Sequence, residues 1–298
     1  MRFYSNGKLL LTGEYLVLDG APAIALPTKF GQSLEVQEAG HRSSWKSYDQ
    51  EGNCWFSMDF DLTDVLANQY DVTDHQEKKI VLLLQEMYRM NENCFPSDNY
   101  QFTTKLDFDR NWGLGTSSTL VNNLSQFAQV DPYRLLAKSF GGSGYDIACA
   151  QADQPILYQD GSYKNIYLPA FLRHHLYFVY LNRKQNSREA IRYYKGLPND
   201  RSRPVEQLKK LNHQLLTATR FEDAKKCMVE HEKMMGSLLN QETVKERLFP
   251  ELDAAVKSLG AWGGDFVAVL TNDDIRNYFR SKGYSTVFAY EELIKSSN

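Results

Sequence analysis

The sequence predicts an α+β protein of two domains. Three observations carry this expectation. Short apolar or alternating runs stand beside stretches with three- and four-residue apolar spacing, the signatures of strands and helices. Three glycine-rich segments lie at junctions between the two patterns. The 298 residues suffice for one large or two medium domains. Apolar residues make up 42% and charged residues 24%, enough to fill a core and solvate a surface. The net charge of −3 argues against nucleic acid or an anionic membrane as a partner, since either would be attracted by a basic field. Cys54, Cys94, Cys149 and Cys227 are scattered and have no metal-ligand spacing, which suits reduced thiols in the cytoplasm. No signal-peptide pattern and no run of membrane-spanning length is seen, so a cytoplasmic protein is expected.

Phe3 to Leu18 reads as strands broken at Thr12-Gly13-Glu14. Lys8 and Glu14 are charges within buried-looking segments; each needs a partner or a ligand, unless it stands at an exposed edge. Asp19-Gly20 signals a turn, and Ala23 to Leu26 a short strand before Pro27. Phe30 to Phe60 is β-rich and irregular, with Trp45 and Trp55 read as packing residues. Asp74 caps a helix reaching Met90, with Ile80, Leu83, Leu84, Met87 and Tyr88 on one face. Tyr100 to Phe108 alternates as a strand.

That strand leads into Asn111-Trp112-Gly113-Leu114-Gly115-Thr116-Ser117-Ser118-Thr119-Leu120, followed by Val121, Leu124 and Phe127 at helical spacing. Glycines leave the backbone open to a bulky anion. The first amides of a helix lack internal partners, and the helix dipole favours negative charge there. Phosphate suits such a site. The hydroxyls add donors and a possible Mg²⁺ ligand. An ordinary capped turn is the plainer alternative for the stretch taken alone. No Lys follows the second glycine, so this is not a Walker A loop; the third glycine of a dinucleotide fingerprint is missing too.

Leu135 to Phe140 reads as a helix end, and Gly141 to Ala150 as a second glycine loop meeting a helix start. Asp146 there is either a carboxylate favoured by the dipole or one positioned to accept a hydroxyl proton. Pro155 to Tyr158 is a strand, and the domain boundary is placed between Tyr163 and Arg173, giving domains 1–165 and 166–298. Leu176 to Leu181 is a strong strand, followed by a loop and a helix near Arg188. In that loop Lys184 and Ser187 are candidates to hold an anionic substrate, with a solvated loop as the alternative. Val205 to Thr219, Phe221 to Asn240 and Glu246 to Leu259 have helical spacing. Met228, Met234 and Met235 suit core packing. His213 and His231 have no second ligand at useful spacing, so no metal role is expected. Gly260 to Gly264 precede a strand from Phe266 to Leu270; a cap and turn would use some of these glycines. Gly263 and Gly264 are read as substrate-binding because the cluster is dense enough for close backbone approach. Thr286 to Tyr290 supplies a last strand.

These segments together resemble the GHMP kinase superfamily. Gly7-Lys8-Leu9-Leu10-Leu11-Thr12-Gly13-Glu14-Tyr15 is similar to its first motif, with Asn6 in place of the proline. Gly113 to Ser118 is similar to the second, Gly260 to Asp265 to the third, with Trp262 where glycine is common. Ser143 to Ala148 resembles the Ser-Gly-x-Asp segment of mevalonate and phosphomevalonate kinases, and contains the Gly-Tyr-Asp-Ile-Ala signature for which one bacterial branch is named. The motifs span nearly the whole chain, in order.

The resemblance implies a two-domain GHMP kinase fold, with an N-terminal ATP-binding α/β domain and a C-terminal ferredoxin-like α/β domain. It implies ATP and Mg²⁺ as cofactors. Gly113, Leu114, Gly115, Thr116, Ser117 and Ser118 would lie on the nucleotide phosphates, with Ser117 as the Mg²⁺ ligand. Asp146 would take the hydroxyl proton, Lys8 would stand near that acid and the transferred phosphoryl, and Gly260 to Gly264 would close the site. Leu135 to Gly142 has Lys138 and no acid where mevalonate kinases place a Mg²⁺-binding Glu. That shorter segment, and the Gly-Gly-Asp of the third motif, look more like phosphomevalonate kinase. The expected reaction is phosphorylation of mevalonate or 5-phosphomevalonate, a small hydroxy acid, by a monomer or homodimer. The alternatives are a kinase for a sugar or amino-acid alcohol, and a non-catalytic nucleotide or metabolite sensor. Retention of Lys8, Ser117 and Asp146 together weighs against the sensor.

Overall fold

The structure, a computed structural model, describes residues 1–197 and 200–296. The chain packs into two compact units that interleave along the sequence: Met1–Gly7, Phe30–Arg110 and Leu114–Gln151 form one, and Lys8–Lys29, Asn111–Gly113 and Ala152–Asn298 the other. Strands β1 (Arg2–Thr12) and β2 (Ala23–Glu38) contribute residues to both units.

The first unit adds β3 (Ser43–Tyr48), β4 (Cys54–Phe60), α1 (Leu62–Leu66), α2 (His75–Met90), β5 (Tyr100–Leu106), α3 (Thr116–Ala128), α4 (Pro132–Ser139) and α5 (Tyr145–Gln151). β5 is central: it pairs antiparallel with β2, from Gln32↔Leu106 to Glu38↔Tyr100, and parallel with β3, which carries β4 on its other edge. Trp45 stacks on Phe102 at 5.1 Å, as a packing residue should. Leu83, Leu84 and Met87 of α2 join Val121, Leu124 and Phe127 of α3 in one core with the sheet residues Leu34, Val36 and Phe102. Asp74 caps α2 by accepting from the Gln76 and Glu77 amides.

A buried polar chain fixes α3 within this unit. Ser5 donates to Asn123 Oδ1 at 2.7 Å and accepts from Asn122 Nδ2 at 2.8 Å. Asn123 Nδ2 donates to the Gln32 carbonyl at 2.8 Å, and the Thr119 hydroxyl donates to Gln32 Oε1 at 2.7 Å. Gln151 Nε2 donates to Asn122 Oδ1 at 2.8 Å, tying the end of α5 to α3. These partners set the position of α3 and α5 more tightly than apolar packing alone, because each buried group left unpaired would be penalised.

The second unit adds β6 (Ile156–Gln159), β7 (Ser162–Asn165), α6 (Ala170–His175), β8 (Leu176–Tyr180), α7 (Ser187–Gly196), α8 (Ser202–Leu216), α9 (Phe221–Leu239), α10 (Val244–Leu248), β9 (Ala255–Ser258), β10 (Phe266–Leu270), α11 (Arg276–Ser281), β11 (Val287–Ala289) and α12 (Tyr290–Leu293). β6 pairs with the start of β2 and forms a hairpin with β7. An antiparallel sheet in the order β11-β8-β10-β9 takes α9 against β9, and α8 packs on α9. Every residue of β10 is buried, which explains its unbroken apolar run.

Two sequence expectations change here. Tyr15 to Leu18 is no strand: Leu16–Asp19 forms a 3₁₀ turn, because Gly13 and Tyr15 both take positive φ and turn the chain out of β1. The helix expected over Glu246 to Leu259 stops after Leu248, and Ala255–Ser258 is strand β9. Pro250 cannot continue a helix, and all four β9 residues are buried against β10, so the tertiary partner overrides the local spacing. Met228, Met234 and Met235 lie in the core as expected.

Asn123→Ala should cost about 2–3 kcal/mol, since it strips Ser5 and the Gln32 carbonyl of a buried partner. A urea midpoint equal to that of the unsubstituted protein would show that water replaces the amide at no cost.

Candidate active site

In the first unit the glycine loop opens α3 without a side-chain cap. Gly115 is the N-cap residue at φ 94°, left-handed backbone that glycine adopts without strain. The hydroxyls that follow divide by direction. Ser118 is buried and donates to the Gly115 carbonyl at 2.9 Å, and Thr119 is turned to Gln32. Ser117 is exposed and Thr116 half-buried. Leu114 is fully buried and anchors the loop. The helix therefore begins with amides that no cap occupies and with one hydroxyl directed to solvent, the donor set that a phosphate chain accepts.

Asp146 stands in the first turn of α5, half-buried, with the Ile147 amide donating to its Oδ1 at 3.1 Å. Ile147 to Ala150 are buried, and α5 packs against α3. Among the described residues no group of three His, Cys, Asp or Glu side chains converges to hold a metal. Mg²⁺ keeps its waters and is bound through one or two protein oxygens together with nucleotide phosphates. Ser117 and Asp146 are oxygen donors of that kind.

In the second unit three of the predicted motifs meet on Gly113. Lys8 is half-buried in β1, and its Nζ donates to the Gly113 carbonyl at 2.7 Å. Gly113 has φ 68°, and a Cβ there would lie 2.7 Å from Asp265 Oδ2, so the carboxylate rests directly on this residue. Asp265, in the third motif, is only 8% exposed. Its Oδ1 accepts from the Gln185 amide at 3.0 Å, its own amide donates to the Arg183 carbonyl at 2.7 Å, and its carbonyl accepts from the Leu181 amide at 2.8 Å. Burial raises the Asp265 carboxyl pKa, while the Gln185 amide and the charges of Lys8 and Lys184 pull it back.

Lys184 is exposed, and Ser187, also exposed, starts α7 behind the N-cap Asn186. The residue that approaches Gly264 closely is Gln185: a Cβ on Gly264 would lie 2.2 Å from its Cγ. Gly263 offers its carbonyl to Arg247 Nη2 at 3.3 Å. Sequence reasoning did not single out Asp265 or Gln185. The only signal was the acid that ends the third glycine cluster.

A second set of charges lies beneath the first motif. Glu14 forms an ion pair with Lys257 of β9, and both are fully buried. Its Oε2 stands 3.5 Å from His231 Nε2 of α9, which accepts from the Gly13 amide at 3.3 Å. Lys257 also donates to the Ser258 carbonyl at 2.8 Å. Glu232 accepts from the Ser258 amide at 2.9 Å and hydroxyl at 2.7 Å. His231 is thus a structural acceptor. Burial outweighs the adjacent Lys257 and raises the Glu14 pKa to about 7, while burial and the Lys257 charge hold His231 neutral, well below its ordinary value. The sequence flagged Glu14 as a charge in need of a partner. It hid Lys257, whose segment read as helix.

No family model matches the sequence, and no curated protein matches it. Solved structures do. The mevalonate kinase of Methanococcus jannaschii superposes with a TM-score of 0.70 at 16% identity, covering 100% of this chain and 98% of that one. The phosphomevalonate kinase of Streptococcus pneumoniae, in complex with phosphomevalonate and AMPPNP, gives 0.71 at 18% identity, covering 97% and 99%. The galactokinase of Lactococcus lactis, complexed with galactose, gives 0.68 at 11% identity, covering 99% and 94%. The chain has the mixed α/β, two-sheet fold of these kinases, the GHMP kinase fold expected from its motifs.

The Glu14 cluster makes a signed prediction about stability. The folded-state pKa of about 7 lies above the ordinary 4.5, so the folded protein keeps a proton that the unfolded chain releases. This contribution is full below about pH 4.5 and is lost as the pH rises through about 7. The stability of the unsubstituted protein minus that of Glu14→Gln should therefore fall by about 3 kcal/mol over this window. A flat difference profile in chemical denaturation would show that Lys257 keeps Glu14 ionised.

Proposed function

We propose that the protein is an ATP-dependent small-molecule kinase acting on mevalonate or 5-phosphomevalonate. The observation that carries this reading is the 2.7 Å bond from Lys8 to Gly113, which joins the lysine of the first motif to the first glycine of the phosphate loop. Phosphoryl transfer needs positioning and charge stabilisation, and little covalent chemistry from the protein. When bound, Mg²⁺-ATP supplies the phosphoryl group and neutralises part of its charge. The uncapped amides at the start of α3 bind phosphate oxygens, and the exposed Ser117 hydroxyl is a cation ligand. Asp146 accepts the proton of the substrate hydroxyl and orients its oxygen. Lys8 places positive charge where the transferred group becomes more negative.

Support for the substrate class comes from two sides. The fold is shared with mevalonate and phosphomevalonate kinases over nearly the full length of each chain. The exposed Lys184 on the loop after β8 suits an acidic substrate. A sugar is the second reading, favoured by the match to a galactokinase complexed with galactose. Among the described residues no helix is long and apolar enough to cross a membrane, in keeping with a proposed cytoplasmic site of action.

The test is ADP release from Mg²⁺-ATP with mevalonate, 5-phosphomevalonate, homoserine and galactose in turn. One substrate should give turnover, and Asp146→Asn should lower kcat by about 10²-fold or more while ATP affinity stays within a few-fold. Full turnover in that variant would remove Asp146 from the reaction. Absence of turnover across the panel, with ATP bound, would turn the reading toward a sensor. Ser117→Ala should shift the Mg²⁺ titration of the rate to higher concentration by about tenfold, the loss of one oxygen ligand. An unchanged titration would place the metal elsewhere.

A further inference from the structure

Helix α7 is anchored at few points. It has ten residues, and a helix of that length is marginal in water without tertiary contacts. Tyr194, in its last turn, is its one buried side chain, while residues 187–189 of its first turn are exposed. Around Tyr194 the second unit builds a clasp. The Tyr194 ring stacks on Tyr15, with centroids 5.1 Å apart and planes inclined by 23°. Its hydroxyl donates to Asp19. The Arg201 guanidinium lies 4.3 Å from the centre of the same ring, donates from Nη2 to the Tyr194 carbonyl at 2.8 Å, and brings Nε to 3.6 Å from Asp19 Oδ2. Apolar burial alone asks for none of these polar contacts, since a leucine would bury its surface with no hydroxyl to satisfy.

The clasp joins two segments that carry residues of the candidate site. Tyr15 and Asp19 lie on the turn after β1, directly behind Gly13 and Glu14 of the first motif. Tyr15 has φ 60° and ψ −46°, a backbone that so bulky a residue adopts only under constraint. Such strain persists where the surroundings over-determine it, and it concentrates at functional sites. The stacked Tyr194 ring is one contact that holds it. At its other end, α7 follows the loop of Lys184 and Gln185. Gln185 packs on Gly264 and donates its amide to Asp265. A helix carries position along its axis, and Ser187 stands about 10 Å from Tyr194 at 1.5 Å per residue.

We propose that Tyr194 is a positioning residue for the acidic substrate: its ring and hydroxyl hold the first-motif turn, and through α7 it sets the loop that carries Lys184 relative to that turn. The nature of the substrate rests on the function proposed above. The coupling of loop and turn does not.

The test uses the full-length protein and three variants. Tyr194→Leu removes the stack and the hydroxyl, Tyr194→Phe the hydroxyl alone, and Asp19→Ala the acceptor, at a partly exposed position. The reporters are the hydrogen-bonded amides of Gln185 and Arg188 in the loop and of Leu16 and Val17 in the turn. In Tyr194→Leu both pairs should exchange about tenfold faster relative to amides of the first unit. KM for the acidic substrate should rise about tenfold, with kcat and KM for ATP within about threefold. Tyr194→Phe keeps the stack and should recover most of that loss. Asp19→Ala should match Tyr194→Phe, and the two together should do no more than either alone, because both remove the same bond. Faster exchange in one pair only, or equally over the whole chain, would overturn the proposal and leave Tyr194 a core residue. So would an unchanged KM for a substrate that is turned over. Faster exchange in both pairs, in a protein that turns over none of the tested substrates, would uphold the coupling and defeat the kinase reading. Should Tyr194→Leu fail to fold, Tyr194→Phe and Asp19→Ala carry the test: each should quicken both pairs about threefold, and no change in either would overturn the proposal.

Discussion

The second unit is built around a lysine and a glutamate that share a space closed to water. A buried charge must find its opposite and fill its remaining hydrogen bonds, or the fold loses several kcal/mol. Lys257 meets Glu14 and the Ser258 carbonyl; Glu232 takes the Ser258 amide and hydroxyl; His231 takes the Gly13 amide. All but the bond from Lys257 to its neighbour Ser258 cross between elements distant in the chain. They lock the turn after β1, the middle of α9 and the end of β9 into one arrangement. Apolar packing of Val256, Val267 and Phe249 would tolerate small slips, whereas a displaced ion pair would not. Directional chemistry here sets the geometry on which the glycine cluster after β9 is carried.

The first unit reaches its order by a different route. Neutral amides and hydroxyls, Ser5, Gln32, Thr119, Asn122, Asn123 and Gln151, hold α3 and α5 without buried charge. This leaves the start of α3 electrically open. Its amides meet no carboxylate cap, and Ser118 and Thr119 point inward while Ser117 faces solvent. A helix end of this kind is costly to leave unsatisfied, and a phosphate chain satisfies it.

Gly113 links these two designs through the covalent chain. Its neighbour Leu114 belongs to the first unit, and it belongs to the second, where Lys8 bonds its carbonyl and Asp265 fills the space a Cβ would take. The glycine there is required by the carboxylate resting on it. Glycines read from sequence as openings for a ligand can thus be filled by the protein itself, as Gln185 also fills the space above Gly264.

The sequence by itself determined the fold class, the helices from His75 and from Thr116, the strands around Tyr100 and Leu176, and the glycine loop with its hydroxyls. These features are local: caps, apolar periods and left-handed glycines act over a few residues. Tertiary structure decided β9, because a buried partner strand outweighed helical spacing, and it decided that the chain interleaves its two compact units. It alone gave Glu14 its lysine and joined Asp265 to Lys8 on Gly113, since an ion pair 243 residues apart and a contact across three motifs leave no trace in sequence spacing. Electrostatic partners are chosen by proximity in space, and proximity follows only once the strands have paired.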